Sequence, residues 1–262
     1  MSPGTLLASA NRLPLWRRRV RVWDFEMMAP TFDRWLYLWM HRLGRMGRPE
    51  RKRLAALVRP GQHVADVGAN IGLYSLLLAR LAGPAGSLCC FEPDALMAGA
   101  LHHNLVANGQ SRAEVFACAI GASPGNALLQ RNALNSGDNR LGDTTGTALH
   151  SHQATVPVRT LHEALAGRPL DFIKMDVQGW EGEALRGLGD LLERNPNLRI
   201  YFEFWPYGLR RAGTPIAQLN NQLRQLGLRV SLADNPLGGP VDLEQLANRL
   251  APQGFTDLLA AH

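Results

Sequence analysis

From His63 onward, short apolar runs alternate with stretches of helical spacing, and this alternation restricts the fold more than any other feature of the chain. The runs are HVADVG, SLCCFEP, EVFACAIG, DFIKMDV and LRIYFEFWP. Helices are predicted at about 71–82, 94–108, 181–194 and 215–226, and LRVSLAD with FTDLLAAH is expected to close the sheet as a pair. Buried strands alternating with helices require a mostly parallel sheet covered on both faces. The chain has no internal repeat or low-complexity linker, and its 262 residues, 46% hydrophobic, suffice for a large α/β core. One interval breaks the rhythm. Residues 124–158, with NSGDNRLGDTTG at their centre, are polar and read as a long irregular segment, the kind that is usually functional or mobile.

Residues 1 to about 58 read as helical. FDRWLYLWMHRLGRM interleaves Trp35, Leu36, Leu38, Trp39 and Leu43 with arginines. That pattern fits an amphipathic helix packed on the main domain, on a partner such as a second copy, or on a membrane interface. The expected organisation is a basic helical segment over 1–55 and an α/β domain over 56–262. Residues 1–60 carry 13 Arg/Lys against 4 Asp/Glu, and the remainder 15 against 18. Basicity confined to one end argues against a nucleic-acid-binding body. It suggests a local contact with an anionic membrane or a phosphorylated carrier, or a solvated helical face. No apolar run is long enough to span a bilayer and no secretory signal is evident, so a cytoplasmic location is expected. Cys89, Cys90 and Cys118 lack metal-ligand spacing and read as small core hydrophobes.

The first strand runs into a glycine turn, VADVGANIGLYSLLLA. Gly68 and Gly72 let backbone approach a ligand, and the helix that follows turns its free N–H groups to the same place. In a doubly wound sheet, ligands bind beyond the carboxyl ends of the strands. Asp66, Glu92, Asp176 and Glu203 all fall at or just past such ends. Glu92 lies 20 residues past Gly72, where an acid can accept hydrogen bonds from both hydroxyls of a ribose. The turn lacks the G-x-G pair of a dinucleotide site, and Asp66 would repel a pyrophosphate. A carboxylate there suits a nucleoside with an ammonium group, as in S-adenosylmethionine.

VADVGANIGLYSL, CFEPD, DFIKMDVQGWEGEAL and IYFEFWP together resemble the FkbM-type methyltransferases, a class I S-adenosylmethionine-dependent family, from about Arg48 to the C-terminus. The resemblance implies a Rossmann-like seven-stranded sheet whose last strand is antiparallel. It also implies methyl transfer to a hydroxyl of a sugar, a glycolipid or polysaccharide unit, or a polyketide-like product. By motif, Asp66, Gly68, Ala69, Asn70 and Gly72 would line the methionine end, Glu92 the ribose, and Ala119 and Ile120 the adenine. Asn135, Asp138 and Asn139, in NSGDNR, would close over cofactor or substrate. Where the family often has Glu in D-V-E-G-x-E, this chain has Gln178; Glu181 keeps the second acid and is expected, with the NSGDNR residues, on the substrate side of the site.

Lys174, one of two lysines in the chain, sits within an apolar strand and must snorkel or pair with an acid. The pairing either braces the strands or tunes a base. Methyl transfer needs a group to take the hydroxyl proton; Asp176 is the first candidate and Glu203 the second. Adjacent strands lie about 4.7–4.9 Å apart, so the two carboxylates could instead share Mg²⁺. The competing readings are a nicotinamide-linked oxidoreductase on a similar sheet, which the turn disfavours, and a non-catalytic adapter that retains the fold.

Overall fold

The computed structural model of the chain describes residues 19–29, 48–132, 135–142 and 152–262. In chain order, β1 (Val20–Val22) and β2 (Phe25–Met27) precede helix α1 (Arg48–Leu57). Then come β3 (His63–Val67), α2 (Leu73–Ala82), β4 (Ser87–Phe91), α3 (Ala95–Ala107) and β5 (Glu114–Phe116). Strands β6 (Ala119–Ile120), β7 (Gly125–Arg131), β8 (Arg140–Leu141) and β9 (His152–Arg159) follow. The rest is α4 (Leu161–Leu165), β10 (Phe172–Met175), α5 (Glu181–Arg186), α6 (Leu191–Arg194), β11 (Arg199–Phe204), α7 (Pro206–Arg211), α8 (Ile216–Gln225), β12 (Arg229–Leu232), α9 (Leu243–Arg249) and β13 (Thr256–Ala261).

Seven strands form the central sheet in the order β12-β13-β11-β10-β3-β4-β5. Neighbours from β11 to β5 are parallel, and β13 is antiparallel to both β11 and β12. This is the α/β class I methyltransferase architecture, with the last strand inserted against the run of the others. Strand alternation divides the core. Val64, Cys90, Phe172 and Tyr201 face α1, α2 and α3, while Ala65, Val67, Ile173, Met175 and Phe202 face the helices that follow β9. No helix among the described residues is long and apolar enough to cross a membrane.

Four expectations need correction. The stretch 20–27, read as helix, is the β1–β2 hairpin, and Val20, Val22, Phe25 and Met27 are buried in the same cluster as α2 and α3. Val-Arg-Val and Phe-Glu-Met alternate with period two, a signal too short to outweigh the surrounding helical pattern. The Trp35–Leu43 stretch lies outside the described residues. EVFACAIG is two strands: β5 ends the central sheet, and β6 pairs with β9 in a second, four-stranded sheet ordered β6-β9-β7-β8. That second sheet occupies much of the interval read as irregular. Between Gly125 and Arg159 its strands are half-exposed, and Leu129, Leu141, Val156 and Val158 are their buried apolar residues, too few to reveal them. The predicted helix at 181–194 is two, α5 and α6, separated by a turn in which Gly189 has a φ of 54°.

Asn104 of α3 and Asn108, which caps its C-terminal end, hold the hairpin. The Asn104 amide N–H group donates to Met28 O (2.9 Å) and Ile71 O (2.8 Å), and its Oδ1 accepts from Met28 N (2.8 Å). Asn108 does the same for Glu26 N and O (3.0 and 2.7 Å). A helix thus supplies the edge of β2 with the partners that a neighbouring strand would give. Asn104→Ala leaves buried backbone groups unpaired, which costs about 1–3 kcal/mol. Urea unfolding should show this as a lower midpoint at constant slope; an unchanged midpoint would mean that the hairpin is held by packing alone.

Candidate active site

Past the carboxyl ends of β3, β4, β10 and β11 lies a cavity of about 460 Å³, within the usual range for small-molecule sites. One wall is the turn between β3 and α2. Gly68 has a φ of 79°, Asn70 of 49° and Gly72 of 90°. The N–H groups of Gly68 and Ala69 donate to Phe91 O (2.9 and 3.1 Å), which pins the turn to the end of β4. A Cβ on Gly68 would lie 1.8 Å from Asp176 O, and one on Gly72 2.5 Å from a Leu101 methyl group. Both glycines are therefore needed for packing as well as for φ.

Glu92 is buried at the edge of this turn. Its Oε2 accepts from Asn70 N (2.9 Å) and its Oε1 from Asp94 N (2.8 Å). Burial pushes its carboxyl up to about 8, although both amides favour the charged form. Asp94 caps α3 and pairs in bidentate fashion with Arg131 (2.8 and 3.0 Å). Asn139 also donates to Asp94 (3.3 Å), so the polar loop is tied to the same turn. Asn70 Nδ2 donates to Ser136 Oγ (3.3 Å). Asn135 and Asn139 line the cavity with Ala119 and Ile120. Asp138 instead pairs with Arg140 and accepts from Asn132 (2.9 Å), shaping the loop from behind.

Register brings the charged residues together. Lys174 on β10 stands beside Asp66 on β3 and Tyr201 on β11. Its Nζ lies 3.6 Å from both Asp66 Oδ1 and Asp176 Oδ2 and 5.2 Å from the centre of the Tyr74 ring. Burial disfavours the ammonium, but Asp66, Asp176, Glu50 and Glu203 outweigh it and hold the pKa above that of an ordinary lysine. Burial raises Asp66, opposed by Lys174 and by Ser75 Oγ, which donates to its Oδ2 at 2.6 Å.

Asp176 and Glu203 are joined by the amide of Gln178, whose Nε2 donates to Asp176 Oδ1 (2.8 Å) and Glu203 Oε2 (3.3 Å). Gln178 adopts a φ of 54° to do so. Burial and the neighbouring Asp176 charge hold Glu203 well above the carboxylate range. The Mg²⁺ expectation is not supported, because a donor nitrogen stands between the two carboxylates that would have shared the ion. Among the described residues no group of three or more His, Cys, Asp or Glu side chains could hold a metal. Glu181 is also displaced from its expected role. It is fully buried beneath the turn, its Oε1 accepts from Val177 N (3.1 Å) and Gly179 N (3.4 Å), and burial pushes it up to about 7. It braces the Gln178 turn and does not line the cavity.

Sequence reasoning missed Glu50, Arg53, Tyr74, Tyr201, Phe255 and Asp257, all of which line the cavity. Glu50 accepts from the Tyr74 hydroxyl, and Arg53 Nη2 lies 2.7 Å from Asp257 Oδ2. A single acid in the basic run RPERKR was a signal for Glu50; Tyr201 could have been found from its register with Lys174.

Residues 66–229 match the family model of the Methyltransferase FkbM domain. Methyltransferase 1 of Beauveria bassiana (strain ARSEF 2860) is 26% identical over 147 residues, covering 48% of this chain and 58% of its own length. Methyltransferase sdnD of Sordaria araneosa is 27% identical over 183 residues, covering 56% of this chain and 68% of its own. Among solved structures, a SAM dependent methyltransferase from Aquifex aeolicus aligns with a TM-score of 0.45 and 18% identity over 84% of this chain and 95% of that one. An rRNA methylase from Streptococcus thermophilus aligns with a TM-score of 0.45 and 10% identity over 81% and 93%. The fold assignment rests on the strand order, and the match over 66–229 fixes the kinship: the chain belongs to the FkbM methyltransferase family.

Proposed function

We propose that the protein transfers a methyl group from S-adenosylmethionine to a hydroxyl oxygen of a small-molecule or glycan acceptor, such as a sugar, a glycolipid or polysaccharide unit, or a polyketide-like product. The observation that carries this reading is Glu92, fixed by two backbone amides beside the glycine turn, in the same cavity as Asp176. Its remaining lone pairs can accept from both ribose hydroxyls. Ala119 and Ile120 offer the apolar surface that an adenine ring needs, and the turn from Gly68 to Gly72 brings backbone close to the amino-acid end. S-adenosylmethionine supplies an electrophilic methyl group on a positively charged sulfur.

The residues of the chain then divide the work. The cavity walls would hold the acceptor hydroxyl in line for attack, and such near-attack positioning supplies much of the acceleration. Asp176 would take the hydroxyl proton as the oxygen gains the methyl group and the sulfur leaves as a neutral thioether. Asp176 is the more accessible carboxylate, whereas burial and the Asp176 charge raise Glu203 and favour its protonated form, so Asp176 is the better placed of the two to take the proton. Lys174 and the Gln178 amide keep Asp176 oriented.

Glu92→Ala should weaken S-adenosylmethionine binding by about tenfold or more, since hydrogen bonds to a charged group contribute about 1.5–3 kcal/mol. Calorimetry with S-adenosylmethionine, and with NAD as the control, reads this directly; an unchanged dissociation constant would remove the ribose assignment. The same site predicts a pH dependence. Glu92 is pushed up to about 8, and ribose donors favour its ionised form, so binding releases a proton. Affinity should therefore rise with pH through that value, by up to about tenfold from pH 7, and Glu92→Gln should flatten the curve.

Asp176→Asn should lower turnover by about 10²–10⁴-fold while leaving S-adenosylmethionine affinity within about twofold. Near-wild-type turnover would exclude it as the base. EDTA should leave the rate unchanged, whereas a loss restored by Mg²⁺ would reinstate the cation. An adapter would bind S-adenosylmethionine and methylate none of these acceptor classes.

A further inference from the structure

The cavity is only partly built by the family domain. Glu50 and Arg53 on α1 precede the matched residues 66–229, and Phe255 and Asp257 follow them, yet all four line the same cavity as the glycine turn. Phe255 is 62% exposed, an aromatic ring held at the opening. Tyr201, 1% exposed, lines the cavity too, and its hydroxyl lies against the Asp257 carboxylate and Arg53 without a well-aligned hydrogen bond to either. A buried hydroxyl so loosely paired can turn to a ligand hydroxyl in the cavity.

We propose that Glu50, Arg53, Tyr201, Phe255 and Asp257 form the acceptor subsite, and that it takes an uncharged polyhydroxyl group and rejects an anionic one. The inference rests on the methyl-transfer reading for the word acceptor, but its geometry stands apart from the Glu92 side of the cavity. Four carboxyl groups, Glu50, Asp176, Glu203 and Asp257, face two cations, and both cations are already engaged, Lys174 with Asp66 and Asp176, Arg53 with Asp257. Burial pushes Glu50 up to about 7, and Asp257 and Asp176 push it in the same direction. Glu203 and Asp257 are raised as well. The cavity therefore already has more negative charge than it can hold ionised, and a carboxylate or phosphate on the bound group would add to it. Hydroxyl groups meet no such penalty. They donate to an ionised carboxylate and accept from a protonated one, so neighbouring hydroxyls can be bound whichever form Glu50 and Glu203 take. The exposed face of Phe255 can pack against the C–H face of a saturated ring.

The test uses the full chain and three probes: methyl α-D-glucopyranoside, the corresponding glucopyranosiduronate, and cyclohexanol. Saturation-transfer NMR titrations give their affinities, and calorimetry with S-adenosylmethionine runs beside them. The neutral glycoside should bind, the uronate at least about tenfold more weakly, and cyclohexanol should not displace the glycoside. Phe255→Ala and Tyr201→Phe should each weaken glycoside binding by about three- to tenfold. Both variants should fold normally, because Phe255 is exposed and Tyr201→Phe keeps the buried ring. Glu50→Gln should narrow the gap between uronate and glycoside. The subsite is overturned if the uronate binds as tightly as the glycoside, if the glycoside does not bind, or if neither Phe255→Ala nor Tyr201→Phe moves its affinity. If the glycoside pattern holds but S-adenosylmethionine does not bind, the subsite stands and the methyl-transfer reading fails. If S-adenosylmethionine binds and the glycoside pattern fails, the reverse holds.

Discussion

The ammonium group of Lys174 lies on the apolar face of the sheet, in a row with Asp66 and Tyr201, and much of the site follows from the need to neutralise it. A buried charge persists only with close counter-charges. Asp66 supplies one from beneath the glycine turn and Asp176 supplies the other from the rim. One side chain therefore links the interior of β3, the end of β10 and the helix carrying Tyr74. Without the ammonium, Asp66 would keep only the Ser75 hydroxyl as a side-chain partner in a fully buried place. The glycine turn follows that carboxylate by two residues.

The Gln178 turn sets the chemistry at the other end of the lysine. An amide that donates to both Asp176 and Glu203 holds the two carboxyl groups at one spacing without adding charge. A glutamate there would bring a third acid to a place already crowded with acids. Asn70 and Gln178, both at positive φ, flank the point where the backbone of Gly68 meets that of Asp176. Strained residues gather where a site must be held in one shape. Here they fix the glycine turn and Asp176 relative to each other through main-chain contact.

The strands and most helices of the central sheet were legible in the sequence because burial on both faces leaves long apolar runs in β3, β4, β10 and β11. Asp66, Glu92 and Asp176 were legible because an acid at a strand end stands out against such a run. The second sheet was not, since β7 and β9 expose one face and their polar alternation resembles a loop. Glu181 looked like a site residue by motif; only its hydrogen bonds to Val177 and Gly179 reveal a brace. Glu50, Phe255 and Asp257 were invisible for another reason. They come from opposite ends of the chain, and the folding that brings β13 between β11 and β12 also brings Asp257 to Arg53.

The Asn104 amide joins the N-terminal hairpin to Ile71, one residue before Gly72 in the glycine turn. The arm of the protein that carries its excess basic charge is therefore not a detachable module. A cut at residue 30 would remove Val20, Val22, Phe25 and Met27 from the core and free half of the amide group that steadies Ile71. A cut before Arg19 would leave both in place. Any boundary chosen for dissecting the charged arm from the α/β domain thus has to be drawn inside the arm, ahead of the hairpin.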